Sequence, residues 1–289
     1  MRKLNSYHPA AVFLYFFAVI FVTMFSQHPA VSALSLIGSV VFFTLIRPKR
    51  AYRAHIFSLI LFLILTLINP LFSKSGETVL FYFNNSPITM EALLYGLNAA
   101  ASLTAALYWF RCFSHMMTSD KLMYLFSRLS KKLAVVLTMS LRFIPLFKEQ
   151  YHKISDTQKA LGLYKDGNIV DSIKGRLRVT DILITWALEG GIITAESMEA
   201  RGWGTGRRTF YSRYRILPSD IILLALSVAL GGLSAAAVCV ADFRFYPAIT
   251  YQSSVWTTIG LCSFLLLAAL PVIIHLQEVL RWRFLTSRI

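Results

Sequence analysis

Six stretches of this chain are apolar over close to the ~20 residues that a helix needs to cross a hydrocarbon core. They run roughly from Ala10 to Ser26, Ala30 to Ile46, Ala54 to Phe72, Glu91 to Phe113, Asp220 to Val240 and Trp256 to Gln277. His28-Pro29 separates the first two. A backbone in lipid must pair its polar groups within its own segment, so helices are the expected form. The runs are continuous rather than alternating, which argues against a β-barrel. Composition agrees: charged residues make up 15% of the 289, where a soluble domain has ~25%. The expected fold class is an all-α integral membrane protein with about six transmembrane helices plus cytoplasmic or interfacial helices.

The net charge of +15 raises two possibilities, a nucleic-acid footprint or a topology signal. The positions of the charges separate them. With the N-terminus placed inside, 27 of the 29 Lys and Arg fall on inside segments, and only Lys74 and Arg244 lie outside. On the short segments alone the balance is nine against two. This is the positive-inside pattern, and it predicts both termini in the cytoplasm and a multi-pass protein of the cell membrane. Topology accounts for the charge, so no nucleic-acid partner is expected. The bilayer is.

The chain divides by pattern into three regions: 1–113 with four spans, 114–218 as a cytoplasmic or interfacial region, and 219–289 with two spans. In the middle region, Leu133 to Phe147 is apolar but short, and it contains Arg142 and Pro145. Placing Arg142 in the bilayer centre would cost ~2.5–3.5 kcal/mol on insertion scales. The segment is therefore expected to lie at the interface, and to continue as a polar helix from Glu149 to Leu161. Lys165-Asp166-Gly167-Asn168 predicts a turn. Val179 to Ala200 predicts a second mixed helix, ended by the glycines of Gly202-Trp203-Gly204-Thr205-Gly206.

Familiar catalytic patterns are missing. The chain has no GxxxxGK[ST] loop and no HExxH, and its six histidines are scattered. Its three cysteines form no CxxC pair. No cofactor, metal or catalytic residue is expected. The spans carry no ionisable residue in their middle thirds, which disfavours a proton-coupled carrier or a channel.

The informative stretch is Ser197-Met198-Glu199-Ala200-Arg201-Gly202. On a helix Arg201 has Ser197 and Met198 as neighbours, neither acidic. One reading is an arginine at a helix C-terminus followed by a capping glycine. The other is an arginine presented to a partner's carboxylate. Gln158-Lys159-Ala160-Leu161-Gly162 is a second helix-ending stretch. Asn69-Pro70 marks either a helix boundary or a kink at a packed interface.

Together with Leu67-Ile68-Asn69-Pro70-Leu71-Phe72, Thr89-Met90-Glu91-Ala92-Leu93 with Gly96, and Leu141-Arg142-Phe143-Ile144-Pro145-Leu146, these stretches resemble the transmembrane T component of energy-coupling factor (ECF) transporters. The resemblance implies a non-catalytic scaffold. Two ABC-type ATPase subunits would bind its cytoplasmic face, and a separate membrane S component would capture a vitamin or metal-containing substrate. In that family each of two coupling helices ends in Ala-Arg-Gly. Ala200-Arg201-Gly202 matches, with Glu199 before it. Ala160-Leu161-Gly162 departs, with leucine in place of arginine and Lys159 alongside. Asn69, Pro70 and Pro145 would serve packing or hinge motion. A self-sufficient secondary carrier and a conventional ABC-importer permease are the alternatives.

Overall fold

A computed structural model describes residues 7–46, 51–72, 76–83, 86–163, 169–206, 214, 216–240, 243–246, 250–251 and 254–286. The turn expected at 165–168, Lys74 and the basic residues at 2–3 and 47–50 lie outside these. The helices are α1 (Pro9–Phe25), α2 (Pro29–Ile46), α3 (Ala51–Phe72), α4 (Met90–Met116), α5 (Ser119–Leu129), α6 (Lys131–Ala160), α7 (Ile169–Ala200), α8 (Pro218–Val240) and α9 (Val255–Thr286). Two short antiparallel hairpins accompany them: β1 (Val79–Phe83) with β2 (Ser86–Thr89), and β3 (Phe243–Arg244) with β4 (Thr250–Tyr251). The chain forms two compact units, Met1–Leu122 with Tyr214–Ile289, and Met123–Arg213; the division falls within α5.

In the first unit, α2, α3, α4, α8 and α9 are each long and apolar enough to cross a membrane. The sixth expected span, α1, has 17 residues, at the short end of the range for spanning helices. These helices keep large apolar side chains on their outer faces, such as Phe17, Leu59, Leu63, Leu67, Ile222 and Leu266. Water would penalise such a surface, whereas lipid does not. The protein is a multi-pass, all-helical membrane protein.

Helix α4 is central. It packs on α1, α2 and α3, while α8 and α9 pack on each other and on α1 and α2 respectively. The core holds Phe16, Phe42, Trp109, Phe264 and Leu267, all fully buried. Trp109 meets Phe16 and Tyr15 edge to face at 6.1 and 6.4 Å. Its indole N–H donates to Ser35 Oγ at 3.0 Å, and Ser35 in turn lies 2.7 Å from Thr23 Oγ1. The Tyr15 hydroxyl donates to the Leu267 carbonyl at 3.0 Å, tying α1 to α9. Ser32, Ser35 and Ser39 recur at helical spacing on the buried face of α2. Small hydroxyl residues let helices approach closely and supply hydrogen bonds that lipid tails cannot.

Three connections meet at one end of this unit. The Asn98 amide donates to the Gln27 carbonyl at 2.9 Å, His28 faces Phe243 at 5.4 Å, and Tyr95 packs on Phe245. The α1–α2, α3–α4 and α8–α9 connections therefore share one end. At the other, the start of α1 is joined to the start of α8: Asp220, 2% exposed, accepts from the His8 N–H at 3.1 Å and the Leu217 N–H at 2.9 Å. The hairpins were not expected from the sequence. They occupy two of the clustered connections, where aromatic residues of Val79–Phe83 and Phe243–Arg244 suit a short strand.

In the second unit, α6 and α7 pack together. Helix α6 runs unbroken through Pro145 for 30 residues. Helix α7 starts ten residues before the expected Val179, at Ile169. Lys174, Arg176 and Arg178 mask the pattern there. Gly175 and Val179, one turn apart, form its buried face. Phe147 of α6 meets Trp186 of α7 edge to face at 5.9 Å.

Candidate functional site

The two long helices of the second unit end in the same way. At the end of α6, Gly162 donates its N–H to the Lys159 carbonyl at 2.9 Å and Leu163 donates to the Gln158 carbonyl at 3.1 Å. At the end of α7, Gly202 donates to Glu199 at 2.9 Å and Trp203 to Met198 at 3.0 Å. Each pair of bonds is a Schellman cap, with the glycine in the left-handed region at φ 66° and 75°. Such a φ strains residues with a β-carbon, which is why glycine stands at both positions. The caps superimpose residue for residue: Lys159 on Glu199, Ala160 on Ala200, Leu161 on Arg201, Gly162 on Gly202.

Leu161 and Arg201 thus hold the same C-cap position, the last side chain before the backbone reverses. Both are exposed, Leu161 at 66%. Arg201 pairs with no carboxylate among the described residues. A guanidinium at a helix C-terminus also gains from the helix dipole, so its presence there is locally favourable as well as available. One tip presents a charged fork of N–H donors, the other a branched apolar group. Ala160, Ala200, Lys159 and Glu199 are exposed beside them.

The tips lie far apart. Helix α7, with 32 residues, is ~48 Å long. Leu161 precedes its start by eight residues, which reach ~29 Å at full extension. Leu161 and Arg201 are therefore separated by at least ~20 Å.

Pro145 lies on the exposed side of α6. Its missing N–H leaves the Leu141 carbonyl without a helical donor. Asn69 and Pro70 belong to the first unit, in the last turn of α3. Pro70 likewise frees the Thr66 carbonyl, which faces Gly96 of α4. A β-carbon at position 96 would sit 2.8 Å from the Asn69 β-carbon and 3.0 Å from that carbonyl. The Asn-Pro pair and Gly96 are thus one close helix contact. Gly96→Ala should push α3 from α4 and cost ~1–3 kcal/mol, read as earlier unfolding in detergent.

Five residues before Gly96 on α4, Glu91 is the centre of a second set of contacts. Glu91 Oε1 accepts from the Thr78 hydroxyl at 2.7 Å and the Thr78 N–H at 3.3 Å. Thr89 caps α4 by accepting from the Ala92 N–H at 3.4 Å. Gly76 packs so tightly here that a β-carbon would come within 2.6 Å of Glu91 Oε2. Glu91 was legible as the start of a span and Thr89–Leu93 as part of the family resemblance; the return of Thr78 onto Glu91 was not.

The family model for CbiQ, a cobalt transport protein, matches residues 2–211. The chain belongs to the CbiQ family. The match takes in α1 to α7 and both capped tips, and it bears out the resemblance to the ECF T component. The chain is also similar to three curated proteins named energy-coupling factor transporter transmembrane protein EcfT. It is 31% identical over 104 residues to that of Lactobacillus helveticus, covering 35% of this chain and 38% of the relative. Against that of Listeria innocua serovar 6a it is 36% identical over 104 residues, covering 35% and 39%. Against that of Streptococcus thermophilus it is 29% identical over 102 residues, covering 35% and 39%. The alignments thus span less than half the length of these relatives.

Proposed function

We propose that this CbiQ-family chain is the non-catalytic scaffold of an ECF-type ABC importer. Two partner ATPases dock on the ends of α6 and α7, and a separate membrane S component carries the vitamin or metal-containing cargo. The observation behind this is the pair of superimposable Schellman caps presenting Leu161 and Arg201. Two tips at least ~20 Å apart suit two acceptor grooves rather than one. A rigid helix ending in an exposed guanidinium suits a groove lined by carboxylates, where the bidentate geometry of arginine is most effective.

In this reading ATP binding draws the two ATPases together, and the tips follow as the ends of stiff levers. Helices α6 and α7 then shear where Phe147 meets Trp186, and the S component moves with them. Pro145, Gly162 and Gly202 mark the points where helical hydrogen bonding is interrupted. Both chain termini lie in the cytoplasm, with the basic α2–α3 connection.

Affinity purification from native membranes tests the reading. The wild type should co-elute two ABC ATPases and a small membrane protein. Arg201→Glu in a Leu161→Asp background should lose ATPase while keeping the membrane partner. An intact wild-type protein that brings down no ATPase in mild detergent would return a self-sufficient carrier to the front.

A further inference from the structure

Arg111 sits near the end of α4 at the face that carries the α2–α3 connection. Its Nη1 donates to the Ala54 carbonyl at 3.3 Å and to Ser58 Oγ at 3.1 Å. Its guanidinium also lies 5.6 Å from the Phe57 ring centre and 5.8 Å from that of Tyr108. These contacts hold the group in place and use only part of its donor capacity. Nε and Nη2 make no hydrogen bond among the described residues, and no carboxylate there pairs with the charge. A cation held at the end of a membrane helix beside an apolar wall is well placed to pair with an anionic headgroup.

The guanidinium borders an open pocket of about 480 Å³. Ser114 and His115 supply further polar groups, one turn along α4 from Arg111. Phe43, Leu107 and Phe110 supply the apolar wall. Phe110 and Phe57 are exposed at 49% and 57%, so this wall continues onto the outer apolar face of the helices. A basic pocket that runs into a lipid-facing surface matches an amphipathic anion.

We propose that this pocket binds an anionic phospholipid, with its phosphate on Arg111, Ser114 and His115 and an acyl chain along Phe57 and Phe110. Arg53, exposed in the first turn of α3, favours negative lipid on the same face. A free phosphate would share the polar contacts but leave the apolar wall unused. The site does not depend on the ATPase reading.

The test uses the purified full chain in nanodiscs containing equal phosphatidylglycerol and phosphatidylcholine, released into native mass spectrometry. Phosphatidylglycerol should be retained in preference by about fivefold or more, the discrimination that one charge near a bilayer surface gives. Arg111→Gln should abolish that preference. Ser114→Trp should do so too, filling the pocket while leaving the Arg111 bonds to Ala54 and Ser58 intact. Lys174→Gln, in the other unit, should leave it unchanged. Equal retention of the two lipids, or a preference that survives both pocket variants, would overturn the proposal. Loss of bound lipid to millimolar inorganic phosphate would assign the pocket to a free anion instead. A photo-crosslinker at position 114 that captures protein rather than lipid in native membranes would assign it to a partner.

Discussion

Arg201→Ala should speed the release of one ATPase by tens- to thousands-fold when that tip is the sole attachment, the effect of truncating one partner of a buried charge pair at ~2–5 kcal/mol. The wild-type chain has two tips, and avidity would hide much of the loss. The clean measurement is therefore made in a Leu161→Asp background that disables the α6 tip. Dissociation of the ATPases from the chain in nanodiscs is followed by interferometry at two salt concentrations. Loss should be large for the double variant and smaller for either single one. A desolvated pair is screened only in part, so release through Arg201 should quicken modestly with salt, while release through Leu161 should not. An unchanged release rate in the double variant would remove the tips from the ATPase contact. Gly202 is a second handle: its φ of 75° disfavours alanine by ~1–2 kcal/mol, so Gly202→Ala should loosen the cap and blunt the Arg201 contact without removing the charge.

Gly260→Ala should destabilise the membrane unit by ~1–3 kcal/mol or more, the usual cost of overpacking a close contact. A β-carbon at 260 on α9 would overlap the β-carbon of Ala237 on α8. Both atoms are attached directly to helix backbone, so no side-chain rotation relieves the clash, and the helices must separate. Ala237→Gly in the same chain should restore stability, because it removes the opposing carbon and leaves one methyl between the helices. Unfolding in mixed micelles of the two single variants, the double variant and the wild type measures this as a cycle. If the double variant is no more stable than Gly260→Ala alone, the α8–α9 contact is not the cause. Gly231 is a milder version of the same design, with a β-carbon there coming 3.0 Å from that of Ala18 on α1.

The spans were legible because hydrocarbon imposes a simple rule. A segment long enough to cross must be apolar nearly throughout and must pair its own backbone, and both demands are met locally in sequence. The ends of α6 and α7 were legible for a related reason: a C-cap needs a left-handed residue, and glycine announces it. Ala200-Arg201-Gly202 and Ala160-Leu161-Gly162 therefore align by sequence alone. The hairpin Val79–Thr89 was missed because its strands are stabilised by each other and by the ends of α3 and α4, not by an alternating pattern. The early start of α7 was missed because the face of Gly175 and Val179 is apolar only on one narrow stripe, amid basic residues.

The sequence by itself determined which segments are apolar enough to enter lipid, which of its segments carry the positive charge, and which residue types stand at the two helix ends. Each of these depends on neighbours along the chain. Only the tertiary structure decided that Asn69, Pro70 and Gly96 are one contact, that Trp109 is satisfied by Ser35, and that Asp220 caps the start of α8 while receiving the His8 N–H from α1. It alone showed that the two tips share one cap geometry at opposite ends of a long helix, and that Arg111 faces an open pocket with no carboxylate partner among the described residues. Those facts depend on which residues distant in the chain come within bonding distance, and apolar periodicity is blind to that distance. A helix states its own buried face in its spacing; it does not state which helix will cover it.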